Sequence, residues 1–571
     1  MTTPSFRLLF PIAAMLLLGA CSSAPATRAP APAASEYYGT TEPFASEAVY
    51  FVVTDRFVNG DPSNDQREQG GAHPSFDIPL RDTDGKPLVG ADGIGDNIGY
   101  LGGDFKGVLD NASYIREMGF SAIWITPIIE NPDQAFTGGD QPTRDSFLTD
   151  RGKSAYHGYW GINFYKLDEH LPSAGLDFAG LASALRVKDL KIVLDIVANH
   201  GSPAYTMPVR QPQFGQLFAA DGSLIADHGN LPPAKLDPLG NPLHAVYRTQ
   251  PDLAQLGDFD YDNPAVMDYL VGAYLQWIDQ GAAAFRVDTM RHMPLSFWKR
   301  FNDRIREKHP GFFMFGEVFE YAPAKLAPFT LAENGGASVL DFPLKEQLAK
   351  VFGREGGDYG LLGPALFLED GPYANPYDLM TFYDNHDMAR LDATDEGFID
   401  AHNWLFTARG IPVIYYGSEV GFMRGLAEHQ GNRNYFGQQR VDAAREHSIR
   451  KALARIAAVR AASSALQRGV QVNLELAGDR AAFYRVYQRA GRAQIALVLL
   501  NKGDAPTRFT ISESLQPGRW TPALGGQAVQ VQAGGTLQAT VEAHGVQVFL
   551  LDAAVTQPQL QAQLDRAMSM R

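Results

Sequence analysis

The hydrophobic positions of the chain follow two patterns, which change at about residue 465. Before that point, short apolar runs typical of buried strands alternate with stretches of helical periodicity, as in a parallel sheet covered by helices. Eight such units can be counted, the number found in a TIM barrel. The strands are expected at 49–54, 121–126, 191–197, 284–287, 312–315, 338–342, 379–383 and 413–416.

Two regions depart from this alternation. Residues 201–260 contain many Pro and Gly residues and little periodicity, which predicts an irregular subdomain B inserted after the third strand. Residues 465–555 alternate in the manner of antiparallel strands, which predicts a C-terminal β-sandwich domain. We therefore expect an α/β fold in which 46–200 and 261–464 form a (β/α)8 barrel. In the tail, 556–571, a helix could span 557–568, and a packed or frayed terminus accounts for it.

Composition narrows the classes of function. A chain of 571 residues with 45% hydrophobic and 11% aromatic residues is typical of a well-packed globular protein of more than one domain. The net charge of −15, without a long run of one sign, argues against nucleic acid as a partner. A neutral substrate or a bound cation fits this charge balance.

The N-terminus indicates export from the cytoplasm. An apolar stretch, 8–20, is too short to span a membrane and has the length of a signal-peptide core. It ends at Leu18-Gly19-Ala20-Cys21, which resembles the lipoprotein cleavage box of bacteria, where the cysteine is lipidated. This predicts a signal peptide at 1–21, a tether at 22–45 that is rich in Ala and Pro, and a lipid anchor on a bacterial membrane. An ordinary secretory signal is the alternative.

Carboxylates, Asn and His stand at the ends of four predicted strands. In 284–292, strand alternation places Arg286 and Asp288 on one face, so that a guanidinium lies beside a carboxylate and favours its charged form. Such a carboxylate is a candidate nucleophile, and an ion pair that only stabilises the barrel is the alternative. The other three ends are 195–200, 315–318 and 382–387. Strand ends of one direction meet at the active face of a TIM barrel.

The motifs at these strand ends resemble glycoside hydrolase family 13, the α-amylase family. The matching stretches are DIVANH at 195–200, FRVD at 285–288 with RH at 291–292, GEV at 316–318, YDNHD at 383–387, YHGYW at 156–160 and YYGSE at 415–419. The sequence around 288–298 and 381–388 is similar to that of the branch containing cyclodextrin glucanotransferases and related bacterial amylases. Six motifs in order over most of the chain make the resemblance specific.

The resemblance implies roles for individual residues. Asp288 would be the nucleophile, Glu317 the acid/base, and Asp387 the carboxylate that steadies the strained sugar ring. The residue chemistry gives the same division, since Arg286 adjoins Asp288 while apolar neighbours should raise the pKa of Glu317. The implied sugar-binding residues are His157, Tyr159, Trp160, His200, Arg286, Arg291, His292 and His386.

Oxygen-bearing side chains are concentrated at 59–65, which suits a hard cation, although an Asx-rich turn would need no metal. Together with 102–104, this stretch resembles the calcium loop of the glucanotransferase branch. The implied Ca²⁺ ligands are Asn59, Asp61, Asn64, Asp65, Gly102 and Asp104. A second family site would use Asn199 and the His292 carbonyl, but Gln255 stands where its carboxylate would align.

The resemblance implies retaining, endo-type hydrolysis of α-1,4-glucosidic bonds in starch, maltodextrins or related glucans by a monomer. Glucanotransferases carry aromatic residues at two positions that are Pro251 and Leu295 here, which favours water over a sugar as the acceptor. The alternatives are a cyclomaltodextrinase or maltogenic hydrolase, a cyclodextrin glucanotransferase, and a surface protein that only binds glucan. All three acidic residues are present, which argues against the last.

Overall fold

The computed structural model describes residues 37–89, 95–137 and 152–569. The predicted signal peptide, Cys21 and most of the predicted tether lie outside these residues. In the part of the chain that is described, none of the helices combines the length and the apolar character needed to cross a bilayer.

Eight parallel strands form the sheet that carries the site. They are β1 (Val49–Val52), β2 (Ala122–Ile125), β3 (Lys191–Ile196), β4 (Ala282–Val287), β5 (Phe313–Gly316), β6 (Ser338–Val339), β7 (Met380–Thr381) and β8 (Ile411–Tyr415). Their spatial order is β6-β5-β4-β3-β2-β1-β8-β7. The Asp341 N–H donates to the Met380 carbonyl at 2.9 Å, which joins the two edges of the sheet. The predicted TIM barrel is confirmed.

Helices separate or follow these strands, and the longer ones bury one face. They are α1 (Thr54–Phe57), α2 (Phe105–Asp110), α3 (Ala112–Glu117), α4 (Phe178–Val187), α5 (Pro264–Asp279), α6 (Leu295–Lys308), α7 (Pro323–Thr330), α8 (Phe342–Phe352), α9 (Asp395–Leu405), α10 (Gly437–Ala444), α11 (Ser448–Ala461) and α12 (Ser464–Arg468). In α6, Phe297, Phe301 and Ile305 recur every four residues and are buried. At the start of α5, the Asn263 side chain accepts from the Ala265 N–H and Pro264 occupies the first position.

The segment between β3 and β4 contains short antiparallel pairs. His200–Pro203 pairs with Leu256–Asp258, so both ends of the inserted segment lie together beside the carboxyl end of β3. Within it, Gln216–Phe218 pairs with Leu224–Asp227. Before β3, Ile129–Glu130 pairs with Asn163–Leu167.

The C-terminal region is an antiparallel β structure with its own core, as predicted. Its strands are β9 (Val470–Ala477), β10 (Arg480–Arg489), β11 (Arg492–Asn501), β12 (Thr507–Ile511), β13 (Gly518–Pro522), β14 (Val529–Val531), β15 (Leu537–Val541) and β16 (Gly545–Leu551). The tail forms helix α13 (Pro558–Ser569), which buries Leu560 and Leu564 against this core. The Tyr38 hydroxyl donates to Asp565 at 2.9 Å, so the tail is packed rather than frayed.

Candidate active site

The carboxyl ends of β4 and β5 bring two of the predicted acids side by side. In the parallel register Val287 lies opposite Gly316, so Asp288 and Glu317 each follow a paired strand end by one residue. The Glu317 N–H donates to the Val287 carbonyl at 2.8 Å, and the Asp288 N–H donates to the Ile196 carbonyl at 2.9 Å. The hydrogen bonds of the sheet therefore continue through both residues and fix their backbones.

Arg286 lies beneath these two acids and has no exposed surface. Its Nη1 is 2.8 Å from Asp288 Oδ1 and 2.9 Å from Asp195 Oδ1, and its Nη2 is 3.0 Å from Glu317 Oε1. Burial opposes its charge, but the carboxylates, that of Asp195 first, raise the pKa of Arg286 well above its usual value. The guanidinium is paired with carboxylates below the cleft, and the predicted contact of Arg286 with sugar stays a prediction.

Glu317 has the environment of a proton donor. Burial raises its pKa to about 8, with Asp387 and Asp288 adding to the effect and Arg286 opposing it. The Thr289 N–H donates to Oε2 at 3.3 Å. A carboxyl with this pKa holds its proton at neutral pH, as general acid catalysis requires.

Asp387 follows β7 and is held by a basic neighbour. Its Oδ1 accepts from Arg433 Nη2 at 2.6 Å, and its Oδ2 lies 3.2 Å from His386 Nε2. Burial raises the pKa of Asp387, and Arg433 opposes this. Burial, followed by the charge of Arg433, lowers the pKa of His386 well below its usual value. His386 is therefore a neutral ring that can hydrogen-bond a sugar hydroxyl.

Tyr159 is locked in place at the floor of the site. Its hydroxyl donates to Asp195 Oδ2 at 2.8 Å and lies 2.9 Å from His386 Nε2, and its ring lies nearly parallel to that of His386, at 5.5 Å between centroids. Trp160 meets His157 edge to face at 4.9 Å. Fixed aromatic rings of this kind offer a flat face to a sugar without an ordering cost.

The three predicted acids line one cleft of about 360 Å³. Seven of the eight predicted sugar-binding residues line the same cleft, namely His157, Tyr159, Trp160, His200, Arg291, His292 and His386. The structure thus brings together predicted side chains that span 230 positions of the sequence, from His157 to Asp387. Only Arg286 lies below the surface of the cleft.

Seven further described residues line this cleft that the sequence did not predict: Lys153, Leu253, Leu256, Thr289, Phe319, Glu428 and Arg433. Arg433 bonds both Asp387 and Glu428, the latter at 3.0 Å. Arg433 and Glu428 come from an irregular stretch after β8, where no hydrophobic periodicity indicates which side chains face the cleft. Phe319 follows Glu317 by two residues, and this proximity to a candidate acid is the signal that could have found it.

The predicted calcium loop is folded around Gly102. Asn59 Nδ2 donates to Asp65 Oδ1 at 2.7 Å, and a Cβ at Gly102, whose φ is +86°, would lie within 2.4 Å of both side chains. The side-chain oxygens of Asn59 and Asn64 are buried without a hydrogen-bond partner. Orphaned amide oxygens beside a carboxylate fit a hard cation.

The other two predicted ligands of this loop have structural partners. Asp104 caps α2 by accepting from the Gly107 N–H at 2.6 Å, and it also accepts from the Asp61 N–H at 2.8 Å. Asp61 accepts from Ser63. Carboxylates can accept several bonds at once, so these contacts leave room for a metal bond.

Asn199 faces a carboxylate that the sequence comparison did not select. Its Nδ2 lies 3.4 Å from Asp258 Oδ1, and its Oδ1 is buried without a partner. Burial raises the pKa of Asp258 to about 7. The second family site stays a prediction, and Asp258, rather than Gln255, is the carboxylate that the structure shows beside Asn199. Elsewhere, Glu130, Asp133 and Glu169 have carboxylate oxygens within 4.8 Å of one another.

Comparison with known proteins agrees with this geometry. The alpha-amylase catalytic domain matches residues 51–231 and 240–460. A cyclomaltodextrin glucanotransferase from Geobacillus stearothermophilus is 29% identical over 514 residues. The matched region covers 87% of this chain and 66% of that relative's length. An alpha-amylase from Niallia circulans is 29% identical over 563 residues, 94% of this chain and 96% of the relative.

Solved structures show the same relationship. A cyclomaltodextrin glucanotransferase with a three-domain ABC distribution superposes with a TM-score of 0.71 and 27% identity, over 89% of this chain and 99% of that one. An Anoxybacillus alpha-amylase superposes with a TM-score of 0.66 and 25% identity, over 90% and 99%. Since the family match covers well over half of the chain and its predicted acids line one cleft, this protein belongs to the alpha-amylase family of glycoside hydrolases, enzymes that act on α-glucans.

Proposed function

We propose that this enzyme hydrolyses α-1,4-glucosidic bonds in starch, maltodextrins or related glucans, with retention and by endo-type cleavage. One observation carries the proposal: a single buried guanidinium lies within 3.0 Å of both Asp288 and Glu317, and burial raises the pKa of Glu317 to about 8. Two carboxyl groups close together, one ionised and one protonated, are what a retaining glycosidase needs.

In this mechanism Asp288 attacks the anomeric carbon while Glu317 gives its proton to the leaving oxygen. The bond to the leaving sugar breaks as the bond to Asp288 forms, giving a glycosyl-enzyme intermediate. Glu317, now ionised, takes a proton from water, and that water releases the sugar from Asp288. Asp387 and His386 hydrogen-bond the hydroxyls of the distorted ring, which supports the transition state.

Transfer to a second sugar is the alternative outcome of the same intermediate. A three-domain architecture does not distinguish hydrolysis from transfer, since a glucanotransferase with a three-domain ABC distribution superposes on this chain. Water is favoured because Pro251 and Leu295 provide no flat ring for an incoming acceptor. A cyclomaltodextrinase or maltogenic hydrolase would use the same acids on shorter or cyclic substrates.

The test is a product profile from starch, maltooligosaccharides and cyclodextrins, with α-configured linear products expected. Asp288→Asn should lower kcat by roughly 10³-fold or more, as loss of a nucleophile does in other covalent catalysts. A variant that hydrolyses starch as well as the parent would refute the catalytic assignment. Cyclic products would favour the transferase, and glucan binding without cleavage would favour a surface glucan-binding protein.

We also propose that Ca²⁺ binds the loop formed by Asn59, Asn64, Asp65 and Gly102, with Asp61 and Asp104 adjoining. When bound, the cation would hold this loop against the start of α2. Asn199 with Asp258 is the candidate second site, supported by the orphaned Asn199 oxygen. The protein would act as a monomer outside the cytoplasm, held to a bacterial membrane by a lipid on Cys21 or secreted. Fatty-acid labelling that is lost in Cys21→Ser would support the anchor.

A further inference from the structure

Two aromatic rings stand exposed beside the cleft. Among the described residues, the large hydrophobic side chains that are more than a third exposed include two aromatic ones, Phe319 at 36% and Tyr321 at 39%. Both follow Glu317 closely in the loop between β5 and α7. An apolar patch of only two rings is too small for a stable protein partner, which typically buries about 800 Å² on each side.

These rings rest on a buried aromatic base. Phe319 and Tyr321 lie 4.8 and 5.9 Å from the ring of Phe342 at the start of α8, and Phe342 in turn packs edge to face on Phe382 at 5.2 Å. Phe342 has no exposed surface. The exposed rings are therefore held in fixed positions, which lowers the entropy cost of binding anything flat.

Their place identifies the part of a substrate that they face. Glu317 gives its proton to the leaving oxygen, so the leaving chain lies on the Glu317 side of the cleft. Phe319 lines the cleft on that side, where its carbonyl accepts from Arg291 Nη1 at 2.6 Å. Tyr321 meets Phe319 edge to face at 6.1 Å and lies just outside the set of residues that line the cleft. A leaving chain that passes over Phe319 reaches Tyr321 next.

We propose that Tyr321 forms an outer subsite for the leaving or acceptor part of an α-glucan, by stacking under a sugar ring beyond the cleft. The inference rests on the proposed glucan substrate. It gives the enzyme a preference for chains long enough to reach Tyr321, although the positions of Pro251 and Leu295 lack aromatic rings.

The test compares Tyr321→Ala, Tyr321→Leu and Tyr321→Phe, with Leu361→Ala as a control at another exposed apolar position, 42% exposed. The readouts are kcat/KM for maltotriose to maltooctaose and, in the Asp288→Asn background that should not cleave it, calorimetric binding of maltooctaose. Tyr321→Ala and Tyr321→Leu should lower both values about 2- to 10-fold for the longest chains and leave maltotriose unchanged. Tyr321→Phe, which keeps the ring, and Leu361→Ala should behave as the parent.

The two proposals fail in different ways. Suppose that the enzyme cleaves the chains, but Tyr321→Ala leaves kcat/KM and binding of the long chains unchanged, or lowers kcat/KM equally at all chain lengths. Either result would overturn the outer subsite alone. Binding of maltooctaose that depends on Tyr321, without cleavage by the parent, would overturn the proposed hydrolysis alone. Thermal melts that match the parent ensure that a loss is not a folding defect.

Discussion

Arg286 shows how one buried cation can serve two acids with different tasks. Its two terminal nitrogens face Asp288 and Glu317 at 2.8 and 3.0 Å, so attraction to the guanidinium acts on both. Burial is the main cause that raises the pKa of Glu317, and the charge of Asp387 adds to it. The proposed division into acid and nucleophile therefore depends on the groups around the guanidinium, which the short sequence spacing of Arg286 and Asp288 does not reveal.

The alkaline limit of activity should report the proton on Glu317. The acid form is required, so kcat/KM should be level near neutral pH and fall about tenfold per pH unit above about 8. Asp387→Asn removes a negative charge that raises this pKa, so the residual activity should decline from a lower pH. The pH profiles of both forms provide the measurement. An alkaline limb that Asp387→Asn leaves in place would show that Glu317 does not control it.

At the scale of elements, the proposed calcium loop would couple a metal to the first turns of the barrel. Ca²⁺ at 100 to 1,000 times its Kd would stabilise the fold by about 3–4 kcal/mol, so chelation should lower the melting temperature by several degrees. Asp65→Asn should abolish the response to added Ca²⁺. Asp133→Asn, in the separate cluster of three carboxylates, is the matched control. If the parent protein melts at the same temperature with and without chelator, the proposal that a metal binds this loop is refuted.

The elements were predictable where one periodicity runs unbroken. The buried strand expected at 191–197 is β3 (Lys191–Ile196), and the helical pattern of 178–188 forms α4 (Phe178–Val187). The helical pattern of 105–118 instead divides into α2 and α3 at Asn111, whose side chain donates to the Gly107 carbonyl at 2.9 Å. A local side-chain bond of this kind competes with the helix and leaves the hydrophobic pattern unchanged.

Contacts across the barrel were less predictable than its strands. The strands expected at 338–342 and 379–383 extend over only two residues each, since α8 begins at Phe342 and an irregular stretch follows Thr381. Arg433 reaches Asp387 from an irregular stretch 46 positions later. Motif resemblance identified the cleft residues that lie within the six motifs, whereas residues outside them, such as Lys153 and Glu428, enter the cleft through tertiary folding alone.

At the scale of the whole molecule, one histidine joins the C-terminal β structure to the barrel. His544 Nδ1 lies 2.7 Å from Asp400 on α9, and its Nε2 lies 3.0 Å from Asp504. The hydrogen bond to Asp400 is the main cause that raises the pKa of His544 to about 9, against an opposing effect of burial. Burial raises the pKa of Asp400 to about 6, although His544 opposes this. The two groups are thus an ion pair between about pH 6 and 9.

This pair should make the attachment of the C-terminal region sensitive to alkali. Because the folded-state pKa of His544 exceeds its unfolded value, its stabilisation is complete below about pH 6.5 and is lost as pH rises through about 9. With partial exposure to solvent discounted, His544→Gln should cost about 1 kcal/mol at pH 7 and little at pH 10. Asp504→Asn, which alters a fully exposed partner, should cost much less. Denaturant unfolding at both pH values measures these differences, and an equal cost of His544→Gln at pH 7 and pH 10 would mean that packing, and not the charge of His544, holds the two parts together.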